Sequence, residues 1–431
     1  MSREYDFRRK FIRDPLYGFM GFSKEEIRLI DTEAFSRLRR IKQLSHAYVV
    51  YPSAVHTRFE HSLGAAYIAG RMCDELQFDQ EQKRLVRMAV LLHDIGHGPF
   101  SHLFEEVLQW VNHSMQDIHE YISRLIIQND AEIGDILGDD RDAVIGLLGG
   151  GDAGEMPILS QIVSGGLDAD KLDYLRRDSH HIGAAYGHFD LERILYTLRR
   201  TPGPEPLLAV DAKGRDALEN YRIARYLMYA QVYEHHAHLA ADRMFLQAVH
   251  TAIYDEKIIS TSNLRIDRPE QLLSFYKTLD DDSIYDMIMN DPRADLSKTI
   301  LERIRRRKLL KRVSQFGEQD ILDPGLQEGL TKMSREDLDA VAAKTASDLG
   351  LEREDVILHR SDVKIKLYSK TDILILDGNQ VHDMKEVSPI SAQSRLVRFY
   401  IFGPNDKSLH KGIAQNIAEQ LGIRSEAVES F

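Results

Sequence analysis

Two side chains that can bind a metal ion are adjacent in the segment AVLLHDIGHGPFSH, residues 89–102: His93 and Asp94. An apolar, helix-like stretch precedes them and two glycines, Gly96 and Gly98, follow, so the pair lies where a helix must end. An imidazole beside a carboxylate favours Mg²⁺, Mn²⁺, Fe²⁺ or Zn²⁺ over a soft metal ion. Alone the pair is a weak signal, because a helix-terminal pair bonded to backbone has the same sequence.

Two further candidate ligands lie far from this pair along the chain. The segment HTRFEH supplies His61 on the first turn of another helix, and the segment DADKLDYLRRD supplies Asp170. His61 precedes His93 by 32 residues and Asp170 follows Asp94 by 76. Three helices must therefore converge to bring the four side chains together, as they do in the metal sites of helical bundles.

The elements that must position these residues are mostly helical. Ser23, followed three residues later by Glu26, is a capping signal that opens an amphipathic pattern. Patterns of this kind predict helices at 23–44, 58–77, 81–94, 99–110, 114–128, 168–179, 188–199, 214–254, 268–310 and 334–348, and the Gly- and Asp-rich stretches 138–142 and 149–154 are predicted loops. Alternating apolar runs predict strands at 363–368, 372–377 and 395–402. The predicted fold is mainly α, with a helical domain at residues 1–260 and a smaller mixed α/β lobe at residues 261–431.

Composition limits the class of protein. The 431 residues carry 56 Lys+Arg against 68 Asp+Glu, a net charge of -12, which argues against a surface built to bind nucleic acid throughout. A single cysteine, Cys73, excludes a disulfide framework and cysteine zinc sites, and no apolar run is long enough to span a membrane, so a cytoplasmic protein is expected. Seven of the 18 histidines fall within 64 residues: His56, His61, His93, His97, His102, His113 and His119.

Four long motifs resemble one known family. They are RLRRIKQL (37–44), HTRFEHSLGAAYIAG (56–70), LLHDIGHGPFSHLFE (91–105) and GGLDADKLDYLRRDSHHIG (165–183). Together they are similar to the HD-domain phosphohydrolases, and within them to the deoxynucleoside triphosphate triphosphohydrolase branch that includes the sterile-alpha-motif and HD-domain enzyme. The resemblance is strong over 10–245 and fainter over 300–312 and 363–402, with no sterile-alpha-motif segment expected before it.

This resemblance implies a metal centre and a reaction. Its ligands would be His61, His93, Asp94 and Asp170, holding one or two divalent ions such as Mg, Mn, Fe or Zn. Such an ion lowers the pKa of a bound water and withdraws charge from a phosphoryl oxygen. The implied attack at the α-phosphorus would release a deoxynucleoside and intact inorganic triphosphate.

Proton transfer is predicted to fall to a second group of residues. The leaving oxygen needs a proton, which a histidine can carry near neutral pH. His102 is the predicted general acid, and Glu105, three residues on, can orient its imidazole. The resemblance implies that His119 is the second active-site histidine, with His113 as a rival. Any one of these histidines could instead be an ordinary polar residue, although their clustering favours a site.

The remaining substrate contacts follow from the resemblance. Asp170, Tyr174 and Asp178 are four residues apart, so that one helical face can serve metal, phosphate and sugar. The predicted substrate-binding residues are Arg58, Lys171 and Arg225 for phosphate, Gln43, Leu44, Tyr174, Asp178 and Tyr233 for deoxyribose, and Glu234 near the base. Each of the three cations could instead be a solvated surface charge. Tyr174 and Tyr233 could instead be ordinary core residues. A carboxylate at Glu234 could favour a base with an amino or imino hydrogen, such as guanine.

A second nucleotide site is also implied. Regulated members of the branch are tetramers that bind an activating nucleotide, GTP or a deoxynucleotide, between subunits. Lys10, Asp31, Arg39, Arg307 and Lys311 match positions used there. Asp31 and Arg39 could equally be an ion pair within one helix. Seven basic residues in the ten at 303–312 could be a solvated helix face or, less favoured, a nucleic-acid contact.

The sequence thus predicts a metal-dependent hydrolase of deoxynucleoside triphosphates that is oligomeric and nucleotide-activated. One alternative keeps the metal but changes the substrate, giving a phosphatase, phosphodiesterase or alarmone hydrolase of the HD type. Another is a regulator that binds nucleotide or nucleic acid and in which the histidine and aspartate set is structural.

Overall fold

The computed structural model describes residues 10–113, 115, 117–150, 157–364, 373–388, 395–424 and 428. Helices dominate these residues, which confirms the predicted mainly α fold with small sheets towards the C-terminus. The helices of the first 310 residues are α1 (Lys24–Ile30), α2 (Glu33–Ser36), α3 (Arg58–Glu75), α4 (Gln80–Leu92), α5 (His102–Val111), α6 (Ile118–Asn129), α7 (Ala131–Leu137), α8 (Arg141–Ile145), α9 (Pro157–Val163), α10 (Ala169–Ile182), α11 (Leu191–Tyr196), α12 (Arg215–Met228), α13 (His236–Tyr254), α14 (Pro269–Lys277), α15 (Asp281–Met289) and α16 (Leu296–Arg305). None of the described helices has an apolar stretch that would reach across a bilayer.

The later part of the chain adds the mixed lobe. Its helices are α17 (Pro324–Lys332), α18 (Arg335–Asp348), α19 (Met384–Val387) and α20 (Lys407–Leu421). The strands of the whole chain are β1 (Lys10–Asp14), β2 (Gly18–Phe22), β3 (Leu198–Arg200), β4 (Leu208–Asp211), β5 (Lys311–Gly317), β6 (Ile357–Lys364), β7 (Leu374–Asp377), β8 (Gln380–Asp383) and β9 (Arg395–Gly403). They form an antiparallel hairpin β1-β2, a sheet β3-β4-β7-β8 in which β4 and β7 are parallel, and an antiparallel sheet β5-β9-β6.

The predicted strands are found with shifted ends. The strand predicted at 363–368 corresponds to the end of β6, which starts six residues earlier, and residues 365–368 lie outside the described residues. The strands predicted at 372–377 and 395–402 correspond to β7 and β9. Of the predicted loops, 138–142 is instead a 3₁₀ turn leading into α8, and residues 151–154 of the second loop are outside the described part.

Long predicted helices are broken where side chains cap new ones. The capping box at Ser23 and Glu26 is present, but α1 ends at Ile30 because the Thr32 side chain accepts a hydrogen bond from Phe35 N and starts α2. The helix predicted over 214–254 is interrupted by a π turn at Tyr229–Tyr233 before α13 begins. The segment 268–310 forms three helices, because Asp280 caps α15 in the middle of it.

The buried apolar residues form two cores. The larger core runs from Met20 in β2 to Leu310 and takes a few side chains from the later strands. The smaller core lies between Val313 and Val428, under the sheet β5-β9-β6. The helices α14 to α16 therefore pack in the larger core, while a domain boundary at residue 260 stays a prediction.

Candidate active site

The four predicted metal ligands meet at the ends of three helices. His61 lies on α3, His93 and Asp94 directly follow α4, and Asp170 is on the first turn of α10. His61 Nε2 lies 3.0 Å from Asp170 Oδ1 and 3.6 Å from Asp94 Oδ2. His93 Nε2 lies 3.2 Å from Asp94 Oδ1 and 3.8 Å from Asp170 Oδ1. Ligand atoms of His61, His93 and Asp94 all lie within 4.8 Å of one another.

Each histidine is oriented from behind through its other ring nitrogen. His61 Nδ1 donates to Asp173 Oδ2 at 2.8 Å, and His93 Nδ1 donates to the backbone oxygen of Val90 at 2.6 Å. Asp173 is fully buried and also accepts two hydrogen bonds from Arg177, at 2.9 and 3.0 Å. These contacts leave the Nε2 lone pairs free for a cation, which is how histidine ligands are normally held.

The chemistry of this donor set fits a divalent ion. His61 Nε2 and His93 Nε2 are buried without a hydrogen-bond partner in the described part of the chain, although both face carboxylates. Burial acts to raise the pKa of Asp94, but the positive charge of Arg58 and the histidines outweighs it and holds that pKa well below its usual value. The two imidazoles and two ionised carboxylates are ligands suited to Mg, Mn, Fe or Zn.

A second histidine cluster adjoins the first. Glu105 on α5 pairs with His102 Nδ1 at 2.6 Å and with His119 Nδ1 at 2.9 Å. His97 stacks on His119 with ring centroids 4.2 Å apart, and its Nε2 lies 3.3 Å from Asp94 Oδ1. The predicted partners His102, Glu105 and His119 therefore come together, whereas His113 is exposed and is not part of this cluster.

The members of this cluster differ in pKa and in exposure to solvent. Burial acts to raise the pKa of Glu105, but His102 and His119 outweigh it and hold that pKa well below its usual value. Burial, Arg58 and His119 hold the pKa of His97 well below its usual value, so its imidazole is neutral. The His102 side chain is 70% exposed, which lets it exchange protons with solvent or ligand.

The backbone between the two clusters turns sharply. Residues 95–101, which we call the catalytic turn, connect the metal ligands to α5. A Cβ at Gly96 would lie 2.2 Å from the backbone oxygen of His119, so glycine allows the turn to pack on α6. Phe100 and Ser101 have φ of 56° and 59°, a left-handed conformation that costs about 1–3 kcal/mol for such residues. The surrounding structure must hold this turn in place.

A cavity of about 490 Å³ opens beside both clusters. Its walls include three metal ligands, His93, Asp94 and Asp170, and both predicted catalytic histidines, His102 and His119. Of the predicted substrate residues, Gln43, Leu44, Arg58, Lys171, Tyr174, Asp178, Arg225 and Tyr233 line it. Glu234 does not, because it follows the π turn at 229–233 and lies near Ser361 and Arg398.

The three predicted phosphate-binding cations differ in their partners. Arg58 donates to Asp94 Oδ2 at 2.7 Å and to Ser101 Oγ at 2.8 Å. Lys171 is paired with Asp168 at 2.5 Å. Arg225 forms neither a hydrogen bond nor an ion pair among the described residues, and its buried Nε has no partner. An unpaired arginine at a cavity wall favours an anionic ligand.

The predicted sugar-binding residues form a fixed wall. Asp178 is 1% exposed, and its two oxygens accept hydrogen bonds from His56 Nε2 and Tyr233 Oη, both at 2.7 Å. The neighbouring Gln43 has a buried Oε1 without a partner in the described residues. Its oxygen could accept a hydrogen bond from a ligand.

Several cavity residues were not among the predicted site residues. Ser45, in a left-handed conformation with φ of 43°, donates to Asp242 Oδ1 at 2.9 Å, and His238 Nε2 lies 3.1 Å from Asp242 Oδ2. The pair Glu106 and Arg243, joined at 2.6 and 2.7 Å, also lines the cavity. The sequence gives no sign of these contacts, since about 200 residues separate Ser45 from Asp242.

The predicted effector residues lie in separate elements. Lys10 opens β1, Asp31 follows α1, Arg39 lies in a 3₁₀ turn after α2, Arg307 follows α16 and Lys311 opens β5. The alternative of an ion pair within one helix is wrong for Asp31 and Arg39, because the chain breaks between them. The basic run is likewise not one helix face, since it spans the end of α16, a turn and β5.

Comparison with known proteins identifies the family. A model of the HD domain matches residues 58–175, and a model of the HD associated region matches residues 189–429, more than half of the chain. The chain belongs to the HD-domain family. The four predicted metal ligands, His61, His93, Asp94 and Asp170, all lie within the residues that match the HD domain.

Relatives of this HD-domain protein span most of its length. An uncharacterised protein of Methanocaldococcus jannaschii is 31% identical over 409 residues, which cover 92% of this chain and 80% of that protein. The deoxynucleoside triphosphate triphosphohydrolase SAMHD1 of Bos taurus is 26% identical over 455 residues, which cover 93% of this chain and 76% of that protein. The crystal structure of a phosphohydrolase from Bacteroides thetaiotaomicron has a TM-score of 0.71 at 26% identity, over 92% of this chain and 100% of that chain. The predicted family is confirmed, and the protein has the fold of the metal-dependent HD phosphohydrolases.

Proposed function

We propose that this HD-domain protein hydrolyses deoxynucleoside triphosphates to deoxynucleoside and inorganic triphosphate. The observation that carries the proposal is that one cavity is lined by three of the four predicted metal ligands, by Arg225, which has no ion pair in the described residues, and by hydroxyl and carboxylate groups. Similarity to deoxynucleoside triphosphate triphosphohydrolases over more than nine-tenths of the chain supports the same substrate class.

In the proposed reaction one cluster of residues binds the metal ion and the other transfers the proton. A divalent ion bound by His61, His93, Asp94 and Asp170 would supply Lewis-acid activation of water and of the phosphoryl group. His102 gives a proton to the leaving 5′ oxygen, because its imidazole is both exposed to the cavity and held by Glu105. His119 Nδ1 pairs with the second carboxylate oxygen of Glu105 and stabilises the negative charge of that carboxylate.

The proposed triphosphate site uses the cations of the same cavity. Arg225 is the anchor, because its guanidinium faces the Tyr229 ring but has no hydrogen-bond acceptor in the described residues, and a ligand oxygen would supply one. Lys171 and Arg58 add positive charge on the side of the metal ligands, although each is already paired with an aspartate. A chain with a net charge of -12 needs such a local concentration of cations to attract a polyanion.

The proposed sugar site lies at Gln43, Leu44, Tyr174, Asp178 and Tyr233. The carboxylate of Asp178 keeps lone pairs that can accept a 3′ hydroxyl, while His56 and Tyr233 fix its plane. The ring of Tyr233, tied to Asp178, fills the space that a 2′ hydroxyl would need. Ribonucleotides would therefore be poorer substrates than deoxynucleotides.

A product assay tests the reaction. Purified protein is incubated with each deoxynucleoside triphosphate and with Mg²⁺ or Mn²⁺, and the products are separated by anion chromatography. We expect equal amounts of deoxynucleoside and inorganic triphosphate, and no turnover by Asp94→Asn or in EDTA. Release of monophosphate or pyrophosphate, or activity only on a phosphodiester or an alarmone, would replace the proposal with another HD-type hydrolysis. Polynucleotide binding that persists in Asp94→Asn, without turnover of any nucleotide, would favour a regulator.

Activation by nucleotide and assembly into tetramers complete the proposal. Lys10, Asp31, Arg39, Arg307 and Lys311 are largely solvent-accessible in one chain, and a second chain would have to bring them together around GTP or a deoxynucleotide. Sedimentation of the protein with and without GTP, together with turnover of nucleotides offered singly and in pairs, tests this. Full activity of a monomer with every single nucleotide would remove the need for an effector site.

A further inference from the structure

One buried carboxylate joins two segments of the active site that are far apart in sequence. Asp281, the first residue of α15, is 1% exposed. Its Oδ1 accepts a hydrogen bond from the backbone N–H of Phe100 at 2.6 Å, and its Oδ2 accepts one from the backbone N–H of Lys42 at 3.0 Å. The Lys42 ammonium lies 3.2 Å from the same Oδ2. The two backbone contacts cross 181 and 239 residues of sequence.

The two segments carry different parts of the site. Phe100 belongs to the catalytic turn, which connects the metal ligands to His102. Lys42 begins the segment 42–45, which we call the substrate loop because it contains the cavity residues Gln43 and Leu44. The relative position of the two therefore sets the distance between the reacting groups and the ligand wall.

Other hydrogen bonds also fix the catalytic turn, and one of them joins it to the substrate loop. Arg37 donates to the backbone oxygens of Ile95 and His97, both at 2.8 Å, and to that of Leu279 at 3.0 Å. Ser101 Oγ donates to the backbone oxygen of Lys42 at 2.7 Å. The catalytic turn thus has its carbonyl groups fixed by a guanidinium and one N–H fixed by a carboxylate. The free energy of these contacts can offset the cost of the positive φ angles at Phe100 and Ser101. Without the contacts, the turn would change to a more favourable backbone conformation.

We propose that Asp281 is a positioning residue that fixes the substrate loop against the catalytic turn. It does not line the cavity, so it acts through the residues it holds. The kinetic part of this inference rests on the proposed function, whereas the structural part does not. Replacement by asparagine keeps the volume but puts an amide N–H₂ opposite one backbone N–H, so one of the two segments loses its acceptor.

The neighbouring Asp280 provides a matched control. It caps the same helix and pairs with Arg40, but no contact joins it to the catalytic turn or the substrate loop in the described residues. Asp280→Asn should therefore keep the cap of α15 but lose the ion pair with Arg40, without displacing the site. A purely structural role for Asp281 would make the two variants behave alike.

The test compares full-length wild type, Asp281→Asn, Asp281→Glu and Asp280→Asn. Hydrogen–deuterium exchange is measured for peptides that contain Lys42 and Phe100, without substrate, and turnover of deoxynucleoside triphosphates is measured with Mn²⁺. We expect faster exchange in Asp281→Asn only, at whichever of the two peptides loses its acceptor, and a kcat about 10- to 100-fold lower, the cost of a displacement near 1 Å. Asp281→Glu, which keeps the carboxylate, should recover part of the loss.

Two results would overturn the inference. One is unchanged exchange at both peptides in Asp281→Asn, which needs no substrate and so decides the point even if the wild type hydrolyses no deoxynucleotide. The other is an equal fall in kcat and in melting temperature for Asp281→Asn and Asp280→Asn. Absence of turnover in wild type, by contrast, contradicts the proposed function and leaves the exchange result to decide the role of Asp281.

Discussion

Replacement of Asp173 by asparagine should weaken metal binding without any change to a ligand. Asp173 accepts the Nδ1 proton of His61 at 2.8 Å and two hydrogen bonds from Arg177. His61 Nδ1 and Arg177 Nε share Oδ2, so the amide oxygen of the variant keeps both of these bonds, while the amide N–H₂ faces Arg177 Nη2, which loses its acceptor. A neutral amide is a weaker acceptor than a carboxylate, so the imidazole of His61 becomes less basic at Nε2, the atom that faces Asp94 and Asp170.

The expected loss of metal affinity can be estimated from the role of Asp173 behind a predicted metal ligand. Loss of a partner behind a metal ligand typically lowers metal affinity about 10- to 100-fold. That range corresponds to about 1.4 to 2.7 kcal/mol of binding free energy. Because Asp173 is fully buried, the variant should also lose about 1 to 3 kcal/mol of stability from its unmatched polar groups.

Asp14→Asn separates these two effects. Asp14 pairs with Arg177 at 2.8 Å on the other side of the guanidinium and does not touch His61. Mn²⁺ affinity measured by calorimetry should fall in Asp173→Asn and stay at the wild-type value in Asp14→Asn, while both variants lose melting temperature. Turnover by Asp173→Asn should recover as Mn²⁺ is raised. An unchanged Mn²⁺ affinity in Asp173→Asn would refute the reasoning.

Three further substitutions test other parts of the site. Arg225→Met should raise KM for the triphosphate about 10- to 100-fold through loss of a charged hydrogen bond and lower the melting temperature only slightly, because the guanidinium makes no hydrogen bond or ion pair in the described residues and contacts only the Tyr229 ring, 5.9 Å from its centroid. A lower melting temperature with unchanged KM would contradict this. Glu105→Gln should lower kcat about 100-fold, because His102 and His119 lose their counter-charge, while Mn²⁺ affinity stays unchanged; a loss of metal affinity would count against it. Tyr233→Ala should raise the ratio of ribonucleotide to deoxynucleotide kcat/KM, and an unchanged ratio would show that the ring does not exclude the 2′ hydroxyl.

Much of the site could be predicted because its residues lie at helix ends that local patterns reveal. The candidate metal ligands follow α4 or lie in the first turn of α3 and α10, and Glu105 is three residues from His102 on one helix, so the sequence pattern and the family resemblance together could place them. Helix boundaries were less predictable. The apolar periodicity continues across residues 229–235 and across Asp280, where a π turn and a side-chain cap break the helices.

Glu234 illustrates the limit of prediction by alignment. Its sequence position matches a base-contacting residue, but the π turn before it carries the side chain to the neighbourhood of Ser361 and Arg398. Asp173 is a different case, since the sequence offers three aspartates within six residues of one helix and no signal of which one faces His61. Only the packing of α3 against α10 decides that.

The sequence by itself determined the family and the mainly α fold, and it predicted the candidate metal-ligand set and most of the residues that line the cavity. The tertiary structure decided which groups hold the residues of the site in place: Asp173 behind His61, His56 behind Asp178, and Asp281 between the substrate loop and the catalytic turn. The physical reason is that residue type and spacing fix local structure, whereas a hydrogen bond across 100 or more residues depends on how separate helices pack.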